Sequence, residues 1–294
     1  MFNNVIVGVD EQPGSRDAIA LAKNLVAEAG ELTLVHVYHD GTMPVRSSNP
    51  GVQAAERERS LALLGVARDE AQVQAGRICI GSPSVGQGLH QLAERQQADL
   101  VVIGSCRRGL IGRVFVNDDT RDALNGAPCA VAVAPAGYSE RAAVLREIGV
   151  GYNASPESQH ALAVARELAT ERAAKLSAFE AISLPAYCFT ARGAPVGESI
   201  GAYVDQARER IAALGDVEPH AAYGAAAEEL TVYSASLDLL FVGSRGYGPI
   251  GRLVHGSTSQ GLARTARCPL IVLTLATAPE LARDDTEAAL AATA

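Results

Sequence analysis

Two stretches decide the fold: "VIVGVDEQPGSRDAIALAKNLV" at 5–26 and "IGVGYNASPESQHALAVARELA" at 148–169. Laid over one another, they match Gly8 with Gly151, Pro13 with Pro156 and Ser15 with Ser158. Each opens on a short apolar run rich in Val and Ile, turns through polar residues, and continues with apolar residues at helical spacing. The correspondence continues downstream. "ADLVVIGSCRRGLIGR" (98–113) lies over "LDLLFVGSRGYGPIGR" (237–252), and "APCAVAVAP" (127–135) over "ARCPLIVLT" (266–274). The period of roughly 140 residues is too long for a solenoid repeat and indicates a duplicated domain.

Each copy alternates strand and helix. In the first, strands are expected at "NVIVGVD", "LTLVHVYH", "RICIG", "DLVVIGS" and "CAVAVAP". The intervening helices are expected over 15–29 (stopped by Gly30), 53–75, after an N-cap at Ser84, and near 118–126. The second half repeats the order, with strands near 147, 175, 217, 238 and 269. Such alternation predicts an α/β fold: two tandem Rossmann-like domains, each a five-stranded parallel doubly wound sheet. Domain 1 is expected over 1–138 and domain 2 over 145–276. The Ala-rich, acidic tail 277–294 reads as frayed, with a short terminal helix as the alternative.

A chain of 294 residues has room for two such domains. Its formal charge of -8 argues against a broad nucleic-acid surface. The five cysteines show neither a CxxC pair nor a metal spacing, which suits a reducing compartment. No leader-like segment is apparent, and the longest C-terminal apolar run, "PLIVLTLATAP", falls short of the roughly 20 residues of a membrane span. The expected location is cytoplasmic.

Doubly wound sheets bind ligands at the carboxyl ends of their strands, where the winding reverses. This brings together the end of strand one and the loop after strand four. In the second half that loop is "GSRGYGPIGRLVHGS" (243–257), with glycines at 243, 246, 248, 251 and 256. Glycines allow close backbone approach, and the helix opening at Ser257 offers unpaired N–H groups to an anion. A plain surface loop with tight turns is the competing reading. The pattern is not a Walker loop, a GxGxxG fingerprint, a GxSxG elbow or an HExxH helix.

The spacing Gly243-x2-Gly246-x9-Gly256-Ser257, the first-strand "VGVDEQPGS", "ADLVVIGS" and the closing "PLIVL" together resemble the universal stress protein family over nearly the full chain. The resemblance implies an ATP-binding regulator of the stress response, binding mainly in domain 2, with Mg2+ as a companion ion. It implies that Gly243, Gly246, Gly256 and Ser257 hold ribose and phosphates, with Thr258 beside them. Val242, Tyr152 and Ala181 would line the base pocket. Asn153 stands where the family usually has an adenine-contacting Asp. In the first half the counterparts are Asp10, Val37 and Gly104. There Arg107 replaces the second loop glycine, and Asn117 and Asp118 replace Gly-Ser. Acids at the phosphate position predict weak or absent binding in that half, unless Arg107, Arg108 and Arg113 or a divalent ion offset them.

The six histidines do not cluster, and His255 reads as a loop residue. Cys129 and Cys268 read as core thiols, whereas Cys106 is the candidate for redox sensitivity. "DDTRD" (118–122) reads as a helix start rather than a metal site. No nucleophile–base pair is evident. The rival functions are a slow ATPase or nucleotide-dependent transferase, and a nucleotide-free interaction protein whose loops are relics. The resemblance also implies that the fifth strands pair within the chain as an internal pseudo-dimer. Two chains can then associate further as a homodimer, and a protein partner is expected that the sequence does not name.

Overall fold

Val5, Ile6 and Val7 lie beside Leu100, Val101 and Val102 in parallel register, and all six side chains are fully buried. A strand pair with no polar side chain must be covered on both faces, and this pair forms the middle of the first half. The computed structural model describes residues 1–39, 50–105, 118–141, 144–183, 200–244 and 257–273. In order, the first half comprises β1 (Phe2–Gly8), α1 (Gly14–Leu25), β2 (Val26–His39), α2 (Pro50–Ala71), β3 (Gly76–Ser82), α3 (Val85–Gln96), β4 (Leu100–Gly104), α4 (Asp118–Leu124) and β5 (Ala130–Ala134). After a short helix, α5 (Tyr138–Arg141), the second half follows. It comprises β6 (Glu147–Gly151), α6 (Pro156–Arg172), β7 (Lys175–Ile182), α7 (Ile200–Ala212), β8 (Glu218–Tyr223), α8 (Ala226–Tyr233), β9 (Leu239–Gly243), α9 (Ser257–Thr265) and β10 (Leu270–Leu273).

The strands form one ten-stranded sheet in the order β3-β2-β1-β4-β5-β10-β9-β6-β7-β8. Each half is parallel and doubly wound, as the alternation of elements predicts. The halves meet through β5 and β10, which pair antiparallel with Ile271 opposite Ala132. Alternation along the strands feeds two cores. Val5 and Val7 pack with Ile19 and Leu21 of α1 and Leu64 of α2, and the same layer continues to Leu162 of α6 and Ile211 of α7. Ile6 and Val101 point the other way, into a layer with Leu89 of α3, Leu124 of α4, Leu230 of α8 and Leu262 of α9. Cys129 and Cys268 belong to this second layer, where burial pushes the Cys129 thiol up to about 12 and raises that of Cys268 as well. Cys106 and Cys188 lie outside the described residues.

Three boundaries differ from expectation. Helix α1 ends at Leu25, not at 29, and Gly30 lies inside β2. Pairing runs from Phe2↔Val26 directly to Asn4↔Glu31, so β2 carries extra residues against β1. In this bulge a Cβ on Gly30 would fall 3.1 Å from the Asn3 carbonyl oxygen. The glycine therefore serves a close approach between strands rather than a helix stop. Helix α2 runs Pro50–Ala71 rather than 53–75, because Gln72 turns left-handed (φ 51°) and Val73 N–H closes back onto the Arg68 carbonyl. A left-handed terminus without glycine recurs at Gln97 after α3 and Ala173 after α6. Helix α5 was not expected at all.

Three carboxylates, Asp17 buried and Asp99 and Asp238 partly so, explain that helix and the strand starts. Asp17, 2% exposed on α1, accepts hydrogen bonds from Gly137 N (2.8 Å), Ser139 N (2.8 Å) and Ser139 Oγ (2.7 Å). It thereby holds the segment between the halves against α1, while Asn24 donates to the Tyr138 hydroxyl at 2.9 Å. Asp99 accepts from Asn3 N and Asn4 N, and Asp238 repeats this with Arg146 N and Glu147 N. Each fastens the start of one central strand to its neighbour. Burial raises the Asp99 carboxyl above the usual range, and the donated N–H groups oppose that shift.

The approach of α1 to β4 is closer still. A Cβ on Gly14 would lie 2.6 Å from the Ser105 carbonyl oxygen, and one on Gly104 would overlap the backbone of Gly14. Gly104→Ala therefore forces α1 outward, and urea unfolding is expected to show a loss of about 1–3 kcal/mol. Asp17→Ala leaves buried N–H groups unpaired, and the same measurement is expected to show a loss of about 3 kcal/mol. A change below about 0.5 kcal/mol in either variant would contradict the packing described.

Candidate functional site

At the carboxyl end of β1 the chain turns on its own side chains. Asp10 Oδ1 accepts from Gln12 N (2.9 Å) and Ser15 Oγ (2.7 Å), and Ser15 Oγ accepts in turn from Asp10 N (2.8 Å). The second half repeats the turn after β6. Ser155 N donates to Asn153 Oδ1 (3.2 Å), and Asn153 N donates to Ser158 Oγ (3.3 Å). The acceptor oxygen of Asn153 is thus engaged locally, and its amide NH2 is the group left to face outward from an exposed residue.

Beside each turn, between strands one and four, lies a cleft. The second-half cleft has a volume of about 660 Å³ and brings together Tyr152, Asn153, Ala181, Val242, Gly243 and Thr258. These residues come from the turn after β6 and from β7, β9 and α9, four segments distant in sequence. Ser257 is the first residue of α9, and Gly246 and Gly256 lie outside the described residues, as do His255, Arg107, Arg108, Arg113 and Asn117. The first-half cleft gathers Asp10, Val37 and Gly104, but its volume is about 90 Å³. Asp118 begins α4 at the position equivalent to Ser257.

The lining residues differ at corresponding positions. Where β2 presents Val35 and Val37, β7 presents Phe179 and Ala181. Where α3 opens on Val85, α8 opens on Ala226. Two exchanges of valine for alanine pull methyl groups back from the second cleft. Phe179 is held against Tyr233 with ring centroids 5.0 Å apart, and the Tyr233 hydroxyl bonds Ser177 Oγ at 2.5 Å. Burial raises the Tyr233 hydroxyl above its ordinary value, so it stays a neutral hydrogen-bonding group.

Several residues of the second cleft escaped the sequence reading: Glu157, Phe179, Ala226, Leu230, and the buried hydroxyls of Ser158, Ser244 and Ser259. The repeat carried the signal for one of them, since Glu157 faces Gly14 in the overlay. Chemically, the cleft offers apolar walls at the strand ends, one carboxylate, several hydroxyls and the N-terminus of a nine-residue helix, where backbone N–H groups suit an anion. Among the described residues no helix is long and apolar enough to cross a membrane.

Known proteins agree with this architecture. The model of the universal stress protein family matches twice, over residues 1–135 and 145–274. A universal stress protein of Mycobacterium tuberculosis is 28% identical over 296 residues, covering 92% of this chain and 96% of that protein. A single-unit relative from Thermus aquaticus is 27% identical over 142 residues, 45% of this chain and 97% of its own length. In fold, a universal stress protein from Archaeoglobus fulgidus superposes with a TM-score of 0.67 at 17% identity, covering 92% of this chain and 98% of that one. With two matched units that together span most of its length, the chain belongs to the universal stress protein family.

Proposed function

We propose that the chain binds an adenine nucleotide, ATP with Mg2+, mainly in its second half, and that occupancy of this site regulates its action in the stress response. The supporting observation is the contrast between the clefts. About 660 Å³ lies within the usual 300–1,000 Å³ of small-ligand pockets, and about 90 Å³ lies well below it. The larger cleft has the chemistry such a ligand needs. Tyr152, Ala181 and Val242 present an apolar slot for a base, and Asn153 offers amide donors at its rim. Thr258 and Ser259 stand in the first turn of α9, where a phosphate meets backbone N–H groups. The bound ion would supply charge neutralisation of the phosphates.

In the first half, Val37, Val85 and Ile103 line the narrower cleft where Ala181, Ala226 and Val242 line the wider one. This adds a steric reason to the electrostatic one suggested by Asp118. Isothermal titration of the full chain with ATP and Mg2+ is expected to give one tight site per chain. Ala181→Phe, which fills the base slot, is expected to weaken that site by at least about tenfold, roughly 1.4 kcal/mol. Val37→Phe leaves one tight site. Two equal tight sites, or an Ala181→Phe variant that binds as before, would overturn the assignment.

A further inference from the structure

We infer that Glu157 is a specificity residue of the second cleft, binding the 2′,3′-diol of a ribonucleotide and selecting ribose over 2′-deoxyribose. The inference rests on the nucleotide reading above and deepens it. Glu157 is the second residue of α6 and lines the same cleft as Asn153, Val242 and Thr258. Its position is fixed by contact with the end of β9. A Cβ on Gly243 would lie 2.6 Å from Glu157 Cβ and 2.7 Å from its carbonyl carbon. Glu157 therefore stands at Gly243, directly after the base wall at Val242 and before the chain reaches the N-terminus of α9. A ribose is covalently bound to lie between its base and its phosphates, so it comes to rest beside this residue.

The carboxylate is also available. A glutamate in the first turn of a helix often serves the cap, but here Ser155 caps α6 by accepting from Ser158 N at 3.2 Å. Among the described residues, Glu157 makes no hydrogen bond or ion pair through its side chain, and it is half-buried. An ionised carboxylate is an acceptor only, with two oxygens. A vicinal diol supplies two O–H donors at matching separation, the pairing that dinucleotide-binding sheets also use. A phosphate offers no donor and repels the group. The first half has Gly14 at this position, with no side chain to play the part.

The test is competition titration of ATP, 2′-deoxyATP and 3′-deoxyATP on the full-length protein, its E157A variant and its E157Q variant, with thermal unfolding as the check on folding. The native protein is expected to prefer ATP to either deoxy analogue by about tenfold, the usual value of a hydrogen bond to a charged group. In E157A the three ligands converge to within about twofold, and E157Q, which keeps one acceptor oxygen, falls between. An equal preference in native protein and E157A overturns the inference, as does a native protein that does not discriminate. A gain in affinity for all three ligands in E157A, with the ratio unchanged, would make Glu157 a repulsive charge. Loss of Mg2+ dependence with the ratio unchanged would make it a cation ligand. If the native protein binds none of the three, the nucleotide reading itself falls, whereas ATP binding without ribose selectivity removes this inference alone.

Discussion

The antiparallel pairing of β5 with β10 is the contact on which the arrangement depends. Both strands are wholly buried and apolar, "AVAVA" and "LIVL". Alone, each half would end its sheet on an open apolar edge, a template for unwanted pairing. Two similar units that meet edge to edge about a two-fold axis must present that edge antiparallel. The register Leu270↔Val133 to Val272↔Val131 does this within one chain. The seam also lets both core layers run unbroken from one half to the other. The segment joining the halves is fastened by Asp17, so the linkage does not rely on strand pairing alone.

Joining the halves in one chain frees them to differ. In a dimer of identical chains, one sequence must serve both clefts. Here, structurally corresponding positions differ in the side chains they give the clefts: Val37 and Ala181, Val85 and Ala226, Gly14 and Glu157. The framework positions do not. Asp99 and Asp238 make the same pair of hydrogen bonds, and Gly104 and Gly243 both allow the first turn of a helix to touch a strand end. The two halves thus share their framework geometry and differ in cleft volume.

The parts of this that could be read in the sequence are those set by periodicity. Apolar runs such as "LVVI" report burial on both faces, and the repeat reports the duplication, the strand order and the two strand ends that form a cleft. What escaped was set by tertiary contact. Gly30 reads as a helix stop in isolation and becomes a bulge only when Asn3 is beside it. Asp17 carries no signal in the sequence, because its partners at 137–139 reach it only in the folded chain. Gln72 ends a helix left-handed without the glycine that would have signalled it. Cleft volume is a property of several side chains at once, which face one space only in the folded chain.

The exchange of Asp10 for Asn153 takes on a different meaning from the structure. Both residues close the same turn through Oδ1, and an amide oxygen accepts the Ser155 N–H as a carboxylate oxygen accepts that of Gln12. The exchange keeps this bond but not a second one: Ser15 Oγ donates to Asp10 Oδ1, whereas Ser158 Oγ donates to the Ser155 carbonyl. Toward the cleft, a carboxylate is replaced by a neutral amide. The second half loses a negative charge at the strand-one turn of its cleft and gains one at Glu157, beside Gly243. Among the described residues each cleft is lined by one carboxylate, but it has moved from the strand-one turn to the helix behind it. The glycine loops are one difference between the halves. The strand ends and the first turns of α1 and α6 carry a second difference, one of volume and charge placement.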